Sequence, residues 1–407
     1  MTFKAIEGNV TSPKGFLGNG VIASIRHYNV TRKDLALIYS EKMCTAAGVF
    51  TKNKIQGAPI PVTKTHLKDG RAQAILCNSY IANTCVEDGL EVANEMCQIT
   101  ADALGLKKED VLVASTGVIG ESVPLQPIRD GVDNLKNVLF NKGGSYVAEA
   151  ILTTDTYPKQ VACEIEIDGK KGIMGGVAKG SGMIHPNMGT MLAFITTDLA
   201  ISSEMIEKAT QDVVQDTFNM VSVDGDTSTN DMLLILANGE AGNKEITEEN
   251  EDYYTFLEAY RYCCRDLAKK IAGDGEGATK LLISKVQNAA TKEDARLAAK
   301  SIVSSSLLKS AIFGEDANWG RILCALGYSG AEMNPLTIDV IVSSKEGQVM
   351  VCKDGYGISF DEELAKKILH QEQVQVIVDL KDGEEEAEAY GCDLTYEYVR
   401  INGEYRS

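Results

Sequence analysis

Short apolar and β-branched runs alternate with helix-patterned stretches along the whole chain, which commits it to a mixed α/β architecture. Up to about residue 115 the strand-like runs are VIASI, LALIY, AQAILC and VLVAS. One helix stands among them: in GLEVANEMCQITADALGL the residues Leu90, Val92, Met96, Ile99 and Leu104 recur at helical spacing, and Gly105 can end it. EIEIDGKKGIMGG reads as a hairpin turning at Asp168-Gly169, and MLAFITTD as a buried strand. Helices are predicted over SSEMIEKATQDVVQDTFNMV, with Ile206, Ala209, Val213, Val214 and Phe218 on one face, over YYTFLEAYRYCCRDLAKKIAG, with Phe256, Tyr260, Cys264, Leu267 and Ile271 as its apolar stripe, and over KEDARLAAKSIVSSSLLKSA. From Leu336 onward LTIDVIV, VQVIVDL and AEAYGCDLTYEYV read as strands around one helix, DEELAKKILH. No repeat, low-complexity stretch or linker interrupts the pattern, so the 407 residues read as compact α/β, one large body or two or three domains with any seam hidden in ordinary loops.

Charge narrows the partners. A formal net charge of −18 repels phosphate backbones and anionic lipid headgroups, which argues against nucleic acid and membrane surfaces. The excess is uneven: residues 1–189 carry 20 Lys and Arg against 19 Asp and Glu, and residues 190–407 carry 20 against 39. MTFKAIEGNV lacks the apolar core of a signal peptide and no run approaches the ~20 apolar residues of a membrane span, so a cytoplasmic location is expected. The 10 cysteines contain no CxxC pair and read as buried, reduced thiols. With 4 histidines, no HExxH and no pair at ligand spacing, no metal site is expected.

The segment GGVAKGSGMIHPNMGTMLAF holds Gly175, Gly176, Gly180, Gly182 and Gly189, so its backbone must turn sharply or approach something closely. Neither GxxxxGK[ST] nor a helix-opening GxGxxG is present to make it a nucleotide cradle. A Thr that follows a small residue and opens a buried strand suits another chemistry. Cleavage of the Gly189–Thr190 bond frees the Thr190 α-amine, whose pKa of about 7.7–8.0 lets it take the proton of its own hydroxyl without a histidine. Spacing alone is weak support for a nucleophile, and Thr190 is also readable as the mere start of a strand.

Other polar segments stand out. VLVASTGVIGE runs a strand into Thr116-Gly117, where a hydroxyl and a backbone N–H can face a developing oxyanion, or form an ordinary turn. TTDTYPK (153–159) and SVDGDTSTND (222–231) are unusually dense in polar groups; the second lacks the twelve-residue spacing and terminal Glu of a calcium loop. GDGEGATK sets Glu276 between glycines after a helix, placed either to receive a cationic amine or to sit solvated in a loop.

Taken in order, KGSGMIHPNMGTMLAF, ASTGVIGE, TTDTYPK, SVDGDTSTND, GDGEGATK, ANWGRI and the terminal INGEYRS resemble the ornithine acetyltransferase family, also called glutamate N-acetyltransferase, from about Gly15 to the last residue. The resemblance implies an α/β fold of stacked β-sheets with flanking helices (the ornithine acetyltransferase and DmpA-like fold), self-processed into an α chain, 1–189, and a β chain, 190–407. It implies transfer of the acetyl group of N2-acetylornithine to glutamate in arginine biosynthesis, by a ping-pong route through acetyl-Thr190. By motif match Thr190 is the nucleophile and Gly189–Thr190 the cleavage site, while Thr116 and Gly117 form the oxyanion hole. The implied substrate contacts are Thr153 or a neighbour in TTDT, Lys179, Thr190, Glu276, Asn402 and Ser407. Lys179 suits an α-carboxylate and Glu276 the δ-ammonium of ornithine.

The resemblance implies no metal and no bound cofactor, with acetyl-CoA open as an additional acetyl donor, and an α2β2 heterotetramer of processed chains. Two departures are visible. NSYIANTC (78–85) carries Tyr80 and Ile81 where the family has a small, flexible pair, so a changed substrate range is expected if this loop borders the acyl pocket. Gly189 stands where the family often has Ala, and still permits cleavage. Two rival readings keep the pocket: an N-terminal-nucleophile amidase or aminopeptidase, in which water takes the acyl group, and an uncleaved binding protein.

Overall fold

The computed structural model describes residues 3–26, 31–185 and 191–404. These form two sheets with helices between and around them. The first sheet has nine strands, in the order Phe3–Ile6, Lys159–Ile167, Lys170–Lys179, Leu192–Thr197, Met232–Ala237, Leu35–Phe50, Arg71–Asn78 and Val111–Ser115, with Phe16–Val21 paired to Leu35–Phe50. The second has seven, in the order Tyr356–Gly357, Gly347–Lys353, Asp339–Ser344, Gln373–Asp379, Leu281–Ala289, Glu385–Cys392 and Val221–Ser222.

The sheets do not stack directly on each other. The helix Glu251–Gly273 packs on Lys159–Ile167 and Lys170–Lys179 of the first sheet and on Leu281–Ala289 and Glu385–Cys392 of the second, with Ser203–Gln215 beside it. Its expected stripe, Phe256, Tyr260, Cys264, Leu267 and Ile271, is fully buried in a core that also takes Ile195 and Ile235 from the first sheet and Tyr390 from the second. A sheet–helix–sheet stack is thus what these periodicities build, because a helix this apolar must be covered on more than one side. The outer face of the second sheet is closed by Lys292–Ser304, Trp319–Gly327 and Glu362–Leu369. Gly89–Leu104 and Leu125–Val138 close the far end of the first.

The expected hairpin forms, with Asp168 (φ 52°) and Gly169 (φ 66°) both left-handed as a two-residue connection requires. Residues on either side of position 190 share the first sheet: Lys170–Lys179 pairs antiparallel with Leu192–Thr197, Lys179 opposite Leu192. All six residues of Leu192–Thr197 are buried, as the apolar run predicts.

Several expectations are corrected. VIASI is not a strand: Phe16–Val21 ends there because the buried Asp34 carboxylate accepts the N–H groups of Ala23 (2.6 Å) and Ile25 (2.7 Å), and Ser24 turns to φ 58°. Leu90 is 56% exposed, one turn short of the buried face. KEDARLAAKSIVSSSLLKSA is two helices, Lys292–Ser304 and Ser306–Phe313, broken at Ser305, whose hydroxyl caps the second by accepting the Leu308 N–H at 3.3 Å. Phe218 is buried but lies in a short 3-10 turn beyond its helix. YEYV (396–399) is helical, within Tyr396–Glu404, because Asp393 ends the preceding strand by accepting the Thr279 and Lys280 N–H groups at 2.8 and 3.0 Å. Eight cysteines are buried, while Cys85 and Cys324 are exposed. Among the described residues no helix is long and apolar enough to cross a membrane.

Candidate active site

A cavity of about 440 Å³ opens where the glycine-rich segment, the Thr116-Gly117 turn, the TTDT segment, the 222–231 loop, the GDGEG loop and the C-terminal helix converge. Thr116, Gly117, Thr153, Lys179, Glu276 and Asn402 all line it, so six of the implied site residues meet in one place. Gly189, Thr190 and Ser407 lie outside the described residues. Ile184 and Met191, on either side of the Gly189–Thr190 bond in sequence, line the same cavity.

Lys179 ends its strand with the side chain in the cavity wall. Its ammonium donates to Thr153 Oγ1 at 2.8 Å and to Thr116 Oγ1 at 3.4 Å, with Asp155 Oδ2 at 3.9 Å. The TTDT ambiguity narrows here. Thr153 and Thr154 line the cavity, whereas Thr156 turns away and gives its N–H (3.0 Å) and hydroxyl to Asp274.

Gly117 follows the buried strand Val111–Ser115 at φ 126°, and a Cβ there would stand 2.1 Å from the Tyr80 carbonyl carbon. Only glycine fits such a backbone. The Thr116 N–H is already bonded to the Asn78 carbonyl (3.1 Å), and the Val118 N–H to that of Tyr80 (2.9 Å). Between them the Gly117 N–H has no acceptor among the described residues, which leaves it and the Thr116 hydroxyl as the donors this turn offers an oxyanion.

NSYIANTC does not border the pocket. None of residues 78–85 lines it, and Ile81 instead bridges to Thr116 and Val118 from behind. The departure from the family therefore lies behind the Thr116-Gly117 turn and not in the cavity wall. Tyr80 takes φ 77° there, a backbone suited to the small residue it replaces.

Glu276 is 8% exposed and presses against Gly182, where a Cβ would come within 2.4 Å of its carboxylate. Asn402 donates to Glu276 Oε2 at 2.7 Å.

Three residues that sequence reasoning did not single out complete the frame. Asp224 accepts the N–H groups of Met183 (2.6 Å) and Ile184 (2.8 Å), fixing the chain at residues 183–184 beside the cavity. Tyr398, on the C-terminal helix, hydrogen-bonds to Asp224; burial, then the Asp224 and Glu276 charges, raises its phenol well above the ordinary value. Asn230 knots three loops, accepting from Thr84 (2.7 Å) and Thr229 (2.6 Å) and donating to the Ala82 (2.6 Å) and Ser115 (3.0 Å) carbonyls. The density of polar residues in SVDGDTSTND was the available signal for Asp224 and Asn230. Tyr398 had none, since its helix reads as a strand. His185, whose imidazole faces Ser222 at 3.0 Å, is held down to about 4 by burial and the Lys300 and Lys309 ammonium groups, and so is neutral near pH 7.

A model of the ArgJ family matches residues 18–407. The arginine biosynthesis bifunctional protein ArgJ of Caldanaerobacter subterraneus subsp. tengcongensis is 48% identical over 403 residues, covering 99% of each chain. The glutamate N-acetyltransferase of Methanocaldococcus jannaschii is 46% identical over 413 residues, again 99% of each. A solved ornithine acetyltransferase from Mycobacterium tuberculosis, complexed with ornithine, is 35% identical, covering 46% of this chain and 99% of its own at a TM-score of 0.43.

Proposed function

The chain belongs to the ArgJ family, and from that premise we propose that it is a glutamate N-acetyltransferase of arginine biosynthesis. It moves the acetyl group of N2-acetylornithine to glutamate through acetyl-Thr190. The observation that carries this reading is the convergence of the Thr116-Gly117 donors, Lys179 and Glu276 on one cavity that Ile184 and Met191 also line.

The chain cuts itself between Gly189 and Thr190, and the new α-amine serves as base. Thr190 Oγ1 attacks the acetyl carbonyl of N2-acetylornithine while its proton passes to the amine. The negative oxygen of the tetrahedral adduct is taken up by the Gly117 N–H and the Thr116 hydroxyl. The C–N bond then breaks, the proton moves to the departing ornithine α-amine, and the acetyl group stays as an ester on Thr190. Glutamate's amine attacks that ester in the same geometry, its proton returns through the α-amine, and Thr190 is regenerated. Lys179 offers a cation to the α-carboxylate that both substrates carry, and Glu276 an anion to the δ-ammonium that only the ornithine side has. No resident metal or cofactor enters these steps. In this reading the processed chains assemble as α2β2 in the cytoplasm.

The test is a product balance. Ornithine released one-for-one with N-acetylglutamate over many turnovers when glutamate is present, and no more than one equivalent per active site without it, supports the reading. Free acetate without an acceptor would make the chain an amidase instead. Replacing N-acetylornithine by acetyl-CoA asks in the same assay whether a second donor is used.

A further inference from the structure

Behind the cavity runs a buried chain of four alternating charges, Lys179, Asp155, Lys159 and Asp274. The side chains of Asp155 and Lys159 are fully buried, and that of Asp274 is 3% exposed. The contacts are unequal. Lys159 stands 2.7 Å from Asp155 Oδ1 and 2.5 Å from Asp274 Oδ2, whereas Lys179 stands 3.9 Å from Asp155 Oδ2. Asp155 also accepts the N–H groups of Gly180 at 2.7 Å and Thr153 at 3.2 Å, so one carboxylate fixes the backbones on both sides of the cavity lysine. Burial alone would raise the Asp155 carboxyl; the Lys179 and Lys159 ammonium groups outweigh it and hold it at about 2, so it is ionised at neutral pH.

This inequality has a chemical consequence. Lys159 meets two carboxylates at contact distance, whereas Asp155 holds Lys179 by charge across 3.9 Å, without a hydrogen bond. The Lys179 ammonium is anchored without being consumed, and its nearest partners are the neutral hydroxyls of Thr153 (2.8 Å) and Thr116 (3.4 Å). A threonine hydroxyl has one hydrogen and two lone pairs. When a lone pair of Thr116 Oγ1 accepts from the ammonium, its hydrogen turns elsewhere, and the charged donor polarises the O–H bond.

We propose that Asp155 is a positioning residue for acetyl transfer: through its loose hold on Lys179 it keeps the ammonium on Thr116 Oγ1, so that this hydroxyl gives its own hydrogen to the oxyanion. The inference rests on the acetyl-transfer reading above and assigns to that site a relay reaching beyond the cavity wall.

The test is a double-mutant cycle on single-turnover acetylation of cleaved protein by saturating N-acetylornithine, followed by intact mass of the β fragment. The variants are Asp155→Asn, Thr116→Val and their combination. Asp155→Asn should slow acetylation by about tenfold, a part of the ~10²–10³ that a whole oxyanion donor contributes. In the Thr116→Val background it should add less than about twofold. A merely structural role for Asp155 gives the same factor in both backgrounds, and that additive result overturns the inference.

If Asp155→Asn does not fold, Lys159→Gln takes its place. It frees Asp155 to close on Lys179 and draw the ammonium off Thr116, so the account expects a similar slowing that disappears in Thr116→Val. Additivity overturns it here too. Failure of the wild type to take up acetyl at all removes the acetyl-transfer reading itself, whereas an active wild type with an additive cycle removes only the relay.

Discussion

Asn402 and Glu276, 126 positions apart in sequence, meet in a hydrogen bond of 2.7 Å that ties the C-terminal helix to the GDGEG loop inside the cavity. The bond occupies one carboxylate oxygen and orients the other. Glu276→Gln removes the anion that suits the ornithine δ-ammonium, and should raise KM for N-acetylornithine by about 10- to 100-fold, the scale of a hydrogen bond to a charged group. Asn402→Ala leaves the charge and frees the rotamer, so a rise of only a few fold is expected. Steady-state kinetics at saturating glutamate measure both; an equal fall in kcat without change in KM would place Glu276 in the chemistry instead.

Gly117 offers a sharper test of the oxyanion turn. An added Cβ meets the Tyr80 carbonyl carbon at 2.1 Å in a backbone of φ 126°, so Gly117→Ala must move the N–H it carries. Loss of one preorganised donor costs roughly 10²–10³ in kcat. Rapid-quench acetylation rates should fall by that factor while the protein remains folded by circular dichroism.

The buried ion chain makes a prediction about acid stability. Asp155 is depressed to about 2 in the folded protein, against an ordinary value of 3.8. Its contribution is therefore complete above the ordinary value and lost as pH falls through that value towards about 2. Asp155→Asn, which leaves Lys159 with one carboxylate fewer, should cost about 3–5 kcal/mol near neutral pH. Denaturant midpoints should differ by a constant amount at neutral pH and converge on acidification below pH ~4. A gap that widens in acid would reverse the sign of the account.

Strands on both sides of position 190 are neighbours in one sheet, Lys179 opposite Leu192. The proposed cleavage there would sever a connection without parting any layer. Fragments 1–189 and 190–407 should therefore co-elute in native gel filtration and separate only in denaturant. Separation in native buffer would contradict the shared sheet.

Much of this was legible in the sequence because the signals were local. The hairpin at Asp168-Gly169, the Glu251–Gly273 stripe and the buried Leu192–Thr197 strand each follow from periodicity or turn chemistry within about twenty residues. Tertiary contacts that the local pattern does not contain decided the remainder. Asp34 ends a strand that the apolar run VIASI would have continued, and YEYV alternates like a strand yet folds as the helix that brings Tyr398 and Asn402 to the cavity. The motif residues Thr116, Lys179, Glu276 and Asn402 were identifiable as single positions, and Thr153 only as one of the threonines of TTDT. The buried ion chain through Asp155 and Lys159 was not, because a buried charge and a surface charge look alike until their partners are in place.

The most direct test of the central claim is denaturing intact-mass spectrometry on freshly purified protein, with Thr190→Ala beside it. The account predicts two masses for the wild type, Met1–Gly189 and Thr190–Ser407, and a single full-length mass for the variant. A single full-length mass in wild-type protein that still transfers acetyl would remove the free α-amine from the mechanism and contradict the account.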